Sequence, residues 1–452
     1  MTERTTSIDG YGPPDIITTD VVVLGGGGSG TYGAIRLTDL GKSVIVVDHH
    51  DYLGGHTYTY TDPASGNNTE MGVVAWYDIP VVQNYFKRLG VKLQQTDIAR
   101  AGTTTLTTIP VDFRTGKTVT SIYSGNVTQG LINYVEQISK YPYLEDSFDL
   151  PDPIPEDLLI PFGDFVKKYN IEGAVQILNI FGNGMGPFLD HLTLYVFKLV
   201  SLASIKALQE NNYQATVSHN NRAPYEAAEK ILGKRALLST TILSVDRSSP
   251  LGVKVQVQTP TGKKLIIAKK LLSSIPPKLE NLPGWDLDLN ERDIFSEFLN
   301  AGYYSSIIKN TGIPDGIEVR NFGADTPWNV PFLPGPYFVQ STDTSGLFTV
   351  KYCTPAPIGD ANAKAAIIAA VERLKTAGTL NTTTPEFVIF HSHSPFEFTV
   401  SLEALKSGFY KKLYALQGGK KTFWTGAAWH AQDSSKLWQF TEKLLPEIVK
   451  GL

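Results

Sequence analysis

VVVLGGGGSGTYGAIRLTDLGKSVIVVDHHDYLGGH, residues Val21 to His56, decides how this chain folds. Three β-branched residues, Val21 to Val23, predict a buried strand. They run into Gly25-x-Gly27-x-x-Gly30, a helix-like segment, and a second apolar strand ending at Asp48. Strand, glycine turn, helix, strand and acid in that order make the fingerprint of a dinucleotide-binding βαβ unit. Gly25 lets the strand turn sharply, Gly27 lets the backbone approach a pyrophosphate, and Gly30 lets helix and strand pack closely. The N–H groups opening the helix at Ser29 and Gly30 point at the phosphates, where the helix dipole favours negative charge. Asp48 follows Gly30 at roughly the 20-residue spacing of the fingerprint. Its carboxylate can accept both ribose hydroxyls there, with His49 beside it at the adenine end. These residues imply an ADP-containing cofactor.

A second glycine pair, in Leu53-Gly54-Gly55-His56-Thr57, separates NAD from FAD. NAD-dependent Rossmann domains have no systematic use for it. The segment resembles the second motif of flavoprotein oxidoreductases of the amine oxidase type, in which Gly-Gly precedes a basic residue. The resemblance continues in Glu70 to Trp76, similar to the family's segment beside the flavin ring. It reappears in Thr241 to Val245, similar to the strand that reads adenine, and in Leu272 to Pro277, similar to the crossing into the substrate domain. Thr422 to Gly426, with a helix beginning near Asp433, resembles the closing strand and flavin-facing helix. Within that superfamily, Gly-Gly-His-Thr, Thr61-Asp62-Pro63 and Gly72 to Trp76 are most similar to the fungal group named after β-cyclopiazonate dehydrogenase, a redox cyclase. A more distant resemblance, in Pro161 to Phe165 and Tyr414 to Gly418, is to polyunsaturated fatty acid isomerases. Two departures stand out. Gly426 is followed by Ala427 where many relatives carry an acid, and Asn300 to Ser305 lacks the lysine that amine oxidases often hold near flavin N5.

Composition agrees with a soluble enzyme. The chain has 452 residues, 42% hydrophobic and 19% charged, enough for a large core in two or three interleaved units. A net charge of −4 gives no support for a nucleic-acid or anionic-membrane partner. The single cysteine, Cys353, excludes an internal disulfide, and no Cys/His cluster has zinc spacing, so no metal is expected. The first residues lack the apolar core of a secretory signal, which makes a cytoplasmic location the default, with a trimmed secreted form left open. The apolar run Leu192 to Leu208 contains Lys198 and Lys206, is too short for a span, and predicts a buried pocket helix.

The expected fold is α/β of mixed type: a Rossmann-type FAD domain of the amine oxidase superfamily with an interleaved substrate domain and a helical subdomain. The expected segments are 19–79, 211–282 and 421–452 for the FAD domain, 80–210 for the helical part and 283–420 for the substrate domain. Alternating Val253, Val255 and Val257 predict a half-buried strand, Thr259 to Gly262 a hairpin turn, and Ala361 to Ala377 a covering helix.

Reduction of flavin at N5 builds negative charge at N1 and the C2 carbonyl, which a helix N-terminus stabilises; the start at Asp433-Ser434-Ser435 is the candidate. The expected cofactor wall is completed by Gly55, Gly72, Val73, Val74, Ile242 and Gly426. The cyclase group is associated with a histidyl-linked flavin, which implies a covalent 8α bond at His56, since a neutral imidazole is nucleophilic. An apolar substrate implies aromatic walls, for which Trp76, Phe181, Tyr195, Tyr337, Trp424 and Trp429 are candidates. Catalytic candidates are Asn183, His430 and Tyr304, with His391 and His393 as further possible bases. Asn183, Arg222 and Lys198 are the groups available for an acidic substrate. The resemblance implies hydride abstraction from carbon of an indole-alkaloid-like substrate with ring closure, electrons passing to O2 or another acceptor. A double-bond isomerase of polyunsaturated fatty acids, or an amine oxidase, remains the alternative.

Overall fold

The computed structural model describes residues 9–97 and 105–452. In chain order, the elements that build the site begin with β1 (Ile16–Leu24), α1 (Gly28–Asp39) and β2 (Val44–Val47). Next come β3 (Thr107–Asp112), β4 (Lys117–Thr118) and α2 (Val175–Phe181). A run of strands follows: β5 (Ala236–Leu237), β6 (Thr241–Asp246), β7 (Val253–Thr259) and β8 (Gly262–Ser273). Then come β9 (Leu299–Lys309), β10 (Ile317–Asn321), β11 (Gly335–Ser341), β12 (Leu347–Thr354) and α3 (Asp360–Thr376). The chain closes with β13 (Glu386–Ser392), β14 (Phe396–Thr399), β15 (Thr422–Trp424) and α4 (Ser434–Val449).

Two sheets organise these elements. The seven-stranded sheet runs β5-β2-β1-β8-β7-β6, with β15 pairing β8. Its β5, β2, β1, β8 and β15 are parallel and the β6–β8 edge is antiparallel. Both faces of β1 are covered, which explains its unbroken apolar run. Val22 and Leu24 enter one core, while Val21 and Val23 enter another with Tyr32, Ile35 and Trp438. Each such buried side chain contributes about 1.5–3 kcal/mol. α4 lies against α1, fastened where Glu442 accepts from Tyr32 at 2.6 Å and pairs with Arg36 at 3.0 Å.

The eight-stranded sheet runs β13-β9-β12-β11-β10-β3-β4, with β14 pairing β9. One face packs on α3 through Tyr304, Ile308, Val339 and Val350 against Ala363, Ile367 and Val371. The other face is turned to the site. β3 and β4 fall in the stretch expected to be helical, and β1 begins at Ile16, ahead of the expected start of the FAD domain at residue 19. The run Leu192 to Leu208 forms two helices, Thr193–Leu199 and Leu202–Gln209, because Ser201 caps the second by accepting from Ser204 N–H at 3.3 Å. Among the described residues no helix is long and apolar enough to cross a membrane.

Candidate active site

At the nucleotide end, glycines are required by contact. Gly25 has φ +95°, and a Cβ on Gly30 would stand 1.9 Å from the Gly25 carbonyl oxygen. Gly55, at φ +56°, would bring a Cβ 3.0 Å from the Gly27 Cα, so the two glycine loops face each other at backbone distance. Asp48 accepts from Gly26 N–H at 2.5 Å and His50 N–H at 2.8 Å. Burial works to raise its pKa, but the hydrogen bonds from His50 and Gly26 hold the carboxyl below its usual value. Asp48, His49 and His50 put three ligand atoms within 4.8 Å, yet the carboxylate is already engaged by those two N–H groups. Gly27 caps α1 without a side-chain acceptor, and the buried Ser29 Oγ has no partner. A helix start left uncapped, beside an orphaned hydroxyl, fits a diphosphate.

The end expected to face the flavin ring, the ring end, is built from three directions. A Cβ on Gly72 would lie 1.7 Å from the His56 carbonyl oxygen, so the segment 72–74 is pressed onto the His56 backbone. The His56 ring stacks on His393 at 4.5 Å and 14°. The His56 ring is open to the cavity, and desolvation by the surrounding protein, then the neighbouring His50 and His391, lowers its pKa to about 4. From the second sheet, Lys351 Nζ donates to the Met71 carbonyl at 2.6 Å and to Ser305 Oγ at 2.8 Å. Burial brings Lys351 down to about 7 against the upward pull of Glu70, whose own pKa burial raises to about 7. α4 presents its N-terminus, where Asp433 accepts from Lys436 N–H at 3.0 Å. Just before it, the Gln432 amide donates to Glu397 Oε2 at 2.9 Å.

These parts surround one cavity of about 1710 Å³. Asp48, His49 and Ile242 line one end, Gly25, Gly27, Ser29 and Gly55 the middle, and His56, Gly72, Val73, Val74, Gly426 and Ser434 the ring end. The rest of this cavity, its chamber, has Ile122, Ile177, Ile180, Phe181, Asn183 and Phe338 on its wall. A volume above the roughly 300–1,000 Å³ of an ordinary ligand pocket leaves space for a dinucleotide and a second molecule.

Other expected residues lie elsewhere. Gly30 supports the turn from behind the cavity wall. Trp76 is buried between Phe86 and Trp438, at 4.8 and 6.2 Å. Trp424 is stacked on Trp285 and Trp429, both in the core, with Trp285 alone reaching the cavity. Tyr195 is buried with its hydroxyl on Val400 N–H at 2.9 Å, and Tyr337 accepts Gly184 N–H at 3.1 Å. Tyr304 faces α3, not the cavity, and bonds Ile358 through its hydroxyl. His430 is buried and bonds the Glu145 carbonyl at 3.0 Å. Lys198 is spent on the Leu144 and Ser147 carbonyls, and Arg222 stacks 4.8 Å over Tyr52. Large aromatics serve cores as readily as pockets, so residue type could not separate the two. Conversely, Lys351, Arg320, Glu318 and Gln432 line the cavity and were not anticipated. A single lysine within the apolar run Leu347 to Cys353 was the signal available for Lys351.

Residues 23–89 match the family model of an NAD(P)-binding Rossmann-like domain. The chain is 40% identical over 454 residues to the FAD-dependent oxidoreductase oblC of Cochliobolus heterostrophus, covering 97% of this chain and 92% of that protein. It is 37% identical to the beta-cyclopiazonate dehydrogenase of Aspergillus flavus, covering 98% and 96%. Among solved structures, the CLA-producing fatty acid isomerase from P. acnes superposes with a TM-score of 0.75 at 17% identity, covering 95% of this chain and 99% of that one. Wild-type putrescine oxidase bound to putrescine superposes at 0.63 and 15%, covering 96% and 99%.

Proposed function

The chain belongs to the fungal FAD-dependent oxidoreductases that include beta-cyclopiazonate dehydrogenase, and from that premise we propose that it removes hydride from a carbon of an apolar, indole-alkaloid-like small molecule and couples this to ring closure. It is an FAD-dependent oxidoreductase with the amine oxidase superfamily fold. The observation that supports the finer reading is the chamber, with its apolar wall of Ile122, Ile177, Ile180 and Phe181.

When bound, FAD supplies the hydride acceptor. The residues around it divide the remaining work. The first turn of α1 and Ser29 would hold the diphosphate, and Asp48 would take the ribose. The N-terminus of α4 places partial positive charge against the ring edge that gains electrons. Neutral His56 and His393 stand ready to receive a proton. The apolar chamber folds the substrate and excludes water, so that an electron-poor carbon is captured by an internal nucleophile. His56, a neutral imidazole between the glycine loops and segment 72–74, would in this reading hold the flavin covalently. O2 or another acceptor is the class of oxidant that would complete the reaction.

Anaerobic mixing of the purified yellow protein with β-cyclopiazonate tests the proposal. Bleaching of the flavin band with formation of a ring-closed product is expected. Conversion of linoleate to a conjugated isomer, with β-cyclopiazonate inert, overturns it. For the covalent bond, tryptic digestion yields a Gly55–His56 peptide carrying added flavin mass; the unmodified peptide alone refutes it.

A further inference from the structure

One line of side chains crosses the chamber face of the second sheet. Arg320 on β10 stands opposite Phe338 on β11, and Phe338 stands opposite Lys351 on β12. Lys351 is opposite Ser305 on β9, and Ser305 is opposite His391 on β13. Cross-strand partners share a face, and Arg320, Phe338, Lys351 and His391 all line the cavity. Strands are spaced about 4.8 Å apart, so the stems of Arg320 and Lys351 are separated by roughly 10 Å, with Phe338 between them.

The two ends of this line differ. At the Lys351 end the ammonium is bonded to Met71, next to the segment 72–74 at the ring end. At the other end Arg320 stands beside Phe338, which lines the same cavity as Ile122, Ile177 and Ile180. Among the described residues, these two are the Lys and Arg side chains on the cavity wall. Arg320 Nη2 donates to Glu318 Oε1 at 2.6 Å, and Glu318 Oε2 accepts from Thr108 Oγ1 at 2.9 Å. An ion pair between residues two apart on one strand fastens no other element to β10. It sets the orientation of the guanidinium and leaves N–H groups for a ligand. The other acids on the wall are committed or distant: Asp48 to Gly26 and His50, Asp433 to the α4 cap, and Glu280 beside Lys278.

We propose that Arg320 anchors an acidic oxygen group of the substrate, a carboxylate or an ionised enol, roughly 10 Å from the carbon oxidised beside Lys351. The spacing acts as a ruler: the acid binds the planar guanidinium, the body of the substrate lies over Phe338, and the reacting carbon reaches the ring end. A guanidinium matches a two-oxygen acid in a fork geometry that an ammonium lacks. The inference rests on the flavoenzyme reading given above.

The test uses the flavin-loaded protein and four probes: decanoate, methyl decanoate, dehydroacetate and its neutral O-methyl ether. Binding is read by calorimetry and by perturbation of the flavin absorption band. At least one anion is expected to bind more tightly than its neutral partner. Arg320→Gln is expected to weaken that anion about ten- to hundredfold, the size of a lost charge-assisted hydrogen bond, and to leave the neutral probe unchanged. Arg320→Lys should recover part of the loss. Preference for decanoate identifies a carboxylate; preference for dehydroacetate identifies an enol. Equal binding of each anion and its neutral partner by the wild-type protein overturns the proposal, whether or not the variants fold. So does an Arg320→Gln protein that holds both anions at wild-type affinity. A colourless protein that takes up no FAD contradicts the flavoenzyme reading instead, and calorimetry still reports on Arg320.

Discussion

The ammonium of Lys351 lies 2.6 Å from the carbonyl oxygen of Met71, tying a strand of the second sheet to the segment that enters the ring end. Lys351 stands opposite Ser305, at the end of the segment Asn300 to Ser305 that carries no lysine of its own. Lys351→Met leaves the Met71 carbonyl and Ser305 without their donor, and should lower stability by about 1–3 kcal/mol. Lys351 has a pKa near 7, so hydride transfer should titrate near neutrality in the wild-type protein. Glu70 titrates in the same range, so the comparison must include Glu70→Gln. Stopped-flow reduction across pH is the measurement: a Lys351-dependent inflection is expected to vanish in Lys351→Met and persist in Glu70→Gln.

Gly30→Ala places a methyl group 1.9 Å from the Gly25 carbonyl, a contact that only separation of α1 from β1 can relieve. The flavin-to-protein ratio of the purified variant is expected to fall at least tenfold, with reduced thermal stability. Wild-type flavin content in Gly30→Ala would contradict the packing.

Tyr304→Phe separates the sequence expectation from the structure. The hydroxyl bonds the Ile358 carbonyl at 2.5 Å and accepts Ile358 N–H at 2.7 Å, on the face away from the cavity. Loss of these bonds should cost about 1–3 kcal/mol of stability, read by denaturant titration. The rate of flavin reduction should stay at the wild-type value; a large fall there would return Tyr304 to the catalytic machinery.

Glu397 is buried at φ +51°, and burial raises its pKa from 4.5 to about 8. The folded protein therefore holds a proton that the unfolded chain releases. The associated stability is fully present below pH 4.5 and is lost as pH rises through 8. Glu397→Gln keeps an acceptor for Gln432 without the ionisation. The wild-type Tm should fall relative to this variant between pH 5 and pH 8; parallel Tm curves would refute the buried protonated acid.

The nucleotide half was legible in the sequence because its constraints are local. Gly25, Gly27, Gly30 and Asp48 act within one βαβ unit, and their spacing alone states the geometry. Of the chamber only Phe181 and Asn183 were legible; the sheet side of its wall was not, because it depends on strand register. Residues 305, 320, 338, 351 and 391 become neighbours only after five strands pair. Strand parity also turned Tyr304 toward α3 while Tyr303 reached the cavity. For the aromatic candidates, Trp76, Trp424 and Trp429 satisfied a core, and nothing in their local sequence distinguishes that fate from contact with a ligand.

The seven-stranded sheet draws on the chain's beginning, its middle and its last strand, and α4 covers α1 only after residue 434. While the polypeptide is still leaving the ribosome, the glycine loop has neither its β8 neighbour nor its final lid. The cradle therefore cannot close until residues 262–273, 422–424 and 434–449 have all been made. Long-range pairing of this kind makes for slow maturation and an aggregation-prone nascent chain. Truncation ahead of Ser434, which removes α4 from its place against α1, should abolish assembly of the cradle.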